Sequence, residues 1–70
     1  MMNYEAVKNF CFDVLGDLVS PSFIEVSQAR NGKFNVIVLR TGGVPKEVIR
    51  DDWNRQIAGT EFAGQVVLYL

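Results

Sequence analysis

The stretch SFIEVSQARNGKFNVIVLR, residues 22–40, decides the fold. Two runs rich in β-branched and aromatic residues flank Asn31-Gly32. That dipeptide between such runs is the strongest short-range hairpin signal, because both residues tolerate the positive φ of a two-residue turn. Ser22–Arg30 and Lys33–Arg40 are therefore expected to form two antiparallel strands. A two-residue loop sets Val26 opposite Ile37 and Ile24 opposite Leu39 on one face. It sets Ala29 opposite Phe34, Ser27 opposite Val36, and Glu25 opposite Val38 on the other.

Before the hairpin, Asn3 to about Leu18 reads as an amphipathic helix. Tyr4, Val7, Phe10, Cys11, Val14, Leu15 and Leu18 recur at spacings of three and four, forming one apolar stripe. Asn3 is the expected N-cap, Glu5 suits the positive end of the helix dipole, and Ser20-Pro21 stops the helix. Phe12 lies off the stripe and is either a second contact point or an exposed apolar residue. After the hairpin, Thr41-Gly42-Gly43-Val44 turns the chain and Pro45 suits a helix start. The second helix runs to about Ala58, with Gly59 as its terminator and Val48, Ile49, Trp53 and Ile57 as its stripe. Asp51 and Arg55 are spaced for an i,i+4 pair. Phe62 is expected under the sheet, and Gln65–Leu70 form a last strand.

The order α-β-β-α-β gives the expected fold class. It is α+β, a single small two-layer sandwich spanning residues 1–70, with both helices on one face of a three-stranded sheet. The strand-helix-strand crossover is expected to be right-handed. The covered face then carries Ile24, Val26, Ile37, Leu39, Val66, Leu68 and Leu70. The open face carries Phe34, Val36, Val38, Val67 and Tyr69 among polar residues. A sheet face left to water should read polar. A contiguous apolar patch marks an interaction surface, so these five residues, with Phe12, are the expected protein-binding interface.

Other clusters carry less. Arg30 and Lys33 at the hairpin tip, with Arg40 and aromatic residues on the open face, offer a second reading as a single-stranded nucleic-acid surface. Thr41-Gly42-Gly43 with Lys46 precedes a helix start but lacks the longer glycine frame of a phosphate loop. Glu47, Asp51 and Asp52 lie on one helix, which converges poorly on a cation. Asp52 sits at the edge of the apolar stripe and calls for a cationic partner, Arg40 or Arg55. Cys11 falls inside the stripe of the first helix and reads as a small core hydrophobe, and Trp53 reads as the anchor of the second helix.

Composition bounds the rest. The 70 residues include no histidine and one cysteine. No Ser-His or Cys-His pair, intramolecular disulfide or thiolate metal cluster can form, so no catalytic residue, metal site or cofactor is assigned. Seven basic residues against eight acidic ones leave a net charge of -1, without the basic surplus of a dedicated nucleic-acid binder. The low cysteine count suggests a cytoplasmic setting. No segment reads as a signal peptide or a membrane span. A domain this small is marginal alone, which favours a homodimer or another protein as partner. The expectation is a non-enzymatic protein-interaction or regulatory module, homodimeric, working through the open sheet face.

Overall fold

The computed structural model describes residues 2–70. Its hairpin closes over three residues instead of two. The amide of Gly32 donates to the carbonyl of Ala29 (3.1 Å), and the amide of Ala29 donates to the carbonyl of Lys33 (2.7 Å). Gly32 has φ +84°, whereas no described non-glycine residue has a positive φ. Asn31 is thus outside the mirror-image two-residue turn, which requires positive φ at both centres. The chain makes an ordinary tight turn over Arg30 and Asn31, then a glycine bulge at Gly32. Asn31 contributes through its side chain, whose Oδ1 accepts from the amide of Lys33 at 3.0 Å.

This extra residue corrects the expected register. Strand β1 (Ile24–Gln28) pairs antiparallel with β2 (Phe34–Val38), setting Ile24 opposite Val38, Val26 opposite Val36, and Gln28 opposite Phe34. Side chains alternate along a strand, so a slip of one residue turns all of β2 over. Phe34, Val36 and Val38, expected on the open face, are core residues, with Val36 fully buried. Ile37 and Leu39, expected in the core, take their place on the open face.

Strand β3 (Val66–Tyr69) runs parallel to β2 on its other side, with Phe34 beside Val66, Val36 beside Leu68, and Ile37 beside Tyr69. The sheet is mixed, in the order β1-β2-β3. Its covered face carries Ile24, Phe34, Val36, Val38 and Val66, all buried, with Val26 and Leu68 partly buried beside them.

Two helices cover that face. Helix α1 (Tyr4–Leu15) is capped by Asn3, whose Oδ1 accepts from the amide of Ala6 at 2.8 Å. It buries Val7, Cys11, Val14 and Leu15, a spacing of three and four that lines one side of a 3.6-residue helix. It ends at Gly16, earlier than Leu18, and the amides of Leu18 and Val19 fold back onto the carbonyl of Leu15. Helix α2 (Lys46–Ile57) buries Ile49, Trp53 and Ile57, while Val48, expected in the stripe, is exposed. Pro45 occupies the cap position, its carbonyl accepting from the amides of Val48 and Ile49. Phe62 is partly buried against the core, beside the helices. It stacks on Phe10 with ring centroids 4.4 Å apart, and Phe10 meets Trp53 edge-on at 5.7 Å. This aromatic trio ties the loop before β3 to both helices.

Candidate interaction surface

The register assigns the open face residue by residue. Glu25 stands beside Ile37 and Ser27 beside Asn35, then Asn35 beside Val67 and Ile37 beside Tyr69. Leu39 follows Ile37 and Val38 along the chain, and its amide donates to the carbonyl of Phe23 at 2.8 Å. Leu39 is 55% exposed, Tyr69 51% and Val67 43%. With half-buried Ile37 they form an apolar strip over β2 and β3. Glu25, Ser27 and Asn35 border it with polar groups on the β1 side.

Of the interface residues expected from sequence, Val67 and Tyr69 lie on this face. Phe34, Val36 and Val38 do not. Phe12 is partly buried against the core. It lines a groove of about 370 Å³ that Tyr4 and Lys8 of α1 share with Glu25 and Ser27 of β1 and Ile37 of β2, so it borders the open face. Ile37 and Leu39 are the surface residues that sequence reasoning missed. The alternation in β2 contains their signal, but Phe34, Val36 and Val38 form an equally apolar row of the opposite parity.

The basic residues are not gathered in one place. Arg30 and Lys33 are exposed at the hairpin tip. Arg40 lies at the far end of β2, its guanidinium 5.9 Å from the centroid of the Phe23 ring. At roughly 3.3 Å per residue, the seven steps from Lys33 to Arg40 put them on the order of 23 Å apart. Beside Arg40, a broad open depression of about 670 Å³ is bounded by Leu39, Gly42, Lys46, Tyr69 and Leu70.

The acidic candidates resolve into a local pair. Asp52 accepts from Arg55 and, at 3.0 Å, from the Nε2 of Gln56. The expected Asp51–Arg55 pair is thus replaced by one turn-spaced contact from the half-buried neighbour. Glu47 and Asp51 point to solvent. No three His, Cys, Asp or Glu side chains gather to hold a metal among the described residues. The buried Cys11 thiol is pushed up to about 12 by desolvation, which leaves it protonated and a poor nucleophile. No helix among the described residues is long and apolar enough to cross a membrane.

The chain matches no family model, and no curated protein or solved structure matches it significantly.

Proposed function

We propose that this chain is a small non-catalytic interaction module, a regulatory or adaptor subunit that binds protein through the open face of its sheet. The observation behind this reading is the exposure of Leu39, Val67 and Tyr69 together on one sheet face. A face in contact only with water would carry polar residues at those positions. Large apolar side chains grouped with a polar border are the usual composition of a protein contact. The basic side chains support the nucleic-acid reading less, because Arg30 and Lys33 stand at the opposite end of β2 from Arg40.

A photo-crosslinking residue placed at Ile37 or Leu39 tests this, with Glu47 on α2 as the control position. In the cells that make the protein, the two sheet positions should trap one discrete protein, and the control should not. Adding Val67→Lys should abolish that adduct. Trapping of RNA or DNA instead would transfer the function to the nucleic-acid reading. Equal labelling from Glu47 would remove the open face as the binding surface.

A further inference from the structure

The two edges of the sheet are β1 and β3, and they are finished differently. On β1, Phe23 and Ala29 bond toward β2, so the odd residues face inward and Val26 turns its backbone to the edge. The carbonyl of Val26 accepts from the Tyr4 hydroxyl at 3.1 Å. The outward amide of Ile24 is likewise taken, by the carbonyl of Pro21, so this edge is partly bonded within the chain.

On β3 the amide of Phe34 donates to the carbonyl of Gln65 at 2.9 Å. The odd residues of β3 therefore face β2, and Val66 and Leu68 turn their N–H and C=O groups outward. Among the described residues nothing bonds to those groups. Edge strands are commonly protected by charge, proline or a bulge. Residues 62–70, FAGQVVLYL, contain no charged residue and no proline. They have instead the high β-propensity and low charge of segments that pair readily.

We propose that β3 pairs antiparallel with the β3 of a second copy, joining two three-stranded sheets into one six-stranded sheet. A two-fold axis at Val67 sets Val66 of each copy opposite Leu68 of the other. Both residues turn their backbone outward, so each pair exchanges two ladder bonds. Directly opposed residues point to the same side. The pairing therefore aligns Val66 and Leu68 with the cores, and Val67 and Tyr69 with the open faces, which merge into one wider surface. An uncharged strand meets its own copy without repulsion. The same surface is used on both copies and β1 already has outward groups bonded within the chain, so the assembly closes as a symmetric dimer. This contact is independent of the partner taken by the open face.

Amide hydrogen exchange on the native chain, followed by NMR across a dilution series with mass measured by light scattering, tests the proposal. The expected mass at high concentration is twice 7.9 kDa. There the amides of Val66 and Leu68 should be protected, and they should become fast-exchanging as the dimer dissociates. The amides of Val67 and Tyr69, bonded to β2, should stay protected throughout. A monomer at every concentration overturns the proposal, as does a dimer in which Val66 and Leu68 exchange freely. Leu68→Pro removes an outward N–H that β2 does not use, so a folded variant should be monomeric. If it folds and still dimerises like the parent, the edge is not the contact. Leu39→Lys, on the open face, should leave the dimer intact. A monomeric Leu39→Lys chain would overturn the edge assignment and place self-association on the face.

Discussion

The amide of Ala29 donates to the carbonyl of Lys33, and this one pairing selects which side of β2 becomes core. Were Arg30 to oppose Lys33, as a two-residue turn requires, Ile37 and Leu39 would face the helices. With Ala29 opposite Lys33, Phe34, Val36 and Val38 do. The surface available to a partner is what the helices leave uncovered, so the interaction face also follows from this turn.

The two registers predict opposite stability orders. Val36→Ala should lower unfolding free energy by about 2 kcal/mol, through lost transfer energy and a cavity that its neighbours fill only in part. Leu39→Ala, on the exposed face, should stay within about 0.5 kcal/mol of the parent. Urea midpoints at unchanged slope measure both. A larger loss at Leu39 than at Val36 would contradict the three-residue turn.

Gly16 gives a prediction that runs against helix propensity. It has φ −63°, an ordinary helical value, and alanine there would usually gain roughly 1 kcal/mol. A Cβ at this position would stand 2.4 Å from the carbonyl oxygen of Phe12, a backbone atom held by the hydrogen bond that Gly16 itself donates. Gly16→Ala should therefore destabilise, by on the order of 1 kcal/mol or more, because the last turn must open. A thermal scan showing a higher Tm for Gly16→Ala would refute this close approach.

Tyr4 is an exposed residue, yet its hydroxyl occupies the Val26 carbonyl on the β1 edge. Tyr4→Phe keeps the ring and removes that bond, at a cost of about 0.5–1.5 kcal/mol. It also frees the outward Val26 carbonyl for pairing on the β1 edge. Light scattering of concentrated Tyr4→Phe should show species larger than those of the parent. Unchanged mass together with unchanged stability would mean that the hydroxyl is not a cover for this edge.

Cys11 links stability to alkaline pH. In the native state burial holds its proton up to about 12, against an ordinary value of 9.0 in the unfolded chain. Below pH 9 both states keep the proton and the thiol adds no pH dependence. Above pH 9 the unfolded chain releases it first, so stability falls as pH rises, by roughly 1.4 kcal/mol per unit until about pH 12. Urea titrations between pH 8 and 10.5 should show a shallower decline for Cys11→Ala than for the parent, whatever the packing cost of the substitution. Parallel declines would show that Cys11 is not the group responsible.

The candidate surface was half legible in the sequence. Val67 and Tyr69 lie where the alternation of the last strand puts them, because Val66 and Leu68, which alternate with them, are drawn to the core. β2 offered no such discrimination. In FNVIVLR both parities are apolar, so a slip of one residue replaces one plausible core row with another. Asn31-Gly32 did not resolve the choice either, since glycine serves equally as the second residue of a mirror-image turn or as a bulge after an ordinary one.

What the sequence determined by itself was local. The Asn3 cap, the period of α1, the hairpin, the helix start near Pro45 and the order α-β-β-α-β all rest on residues within a few positions of one another. Backbone sterics and short hydrogen bonds act at that range. Tertiary structure alone decided the strand order, the face of β2 that is buried, the coupling of Phe62 to Phe10 and Trp53, and the contrast between a partly bonded β1 edge and an open β3 edge. Each depends on which distant surfaces meet. That choice is made by the total apolar area buried and by whether Tyr4, 22 residues away from Val26, reaches its carbonyl.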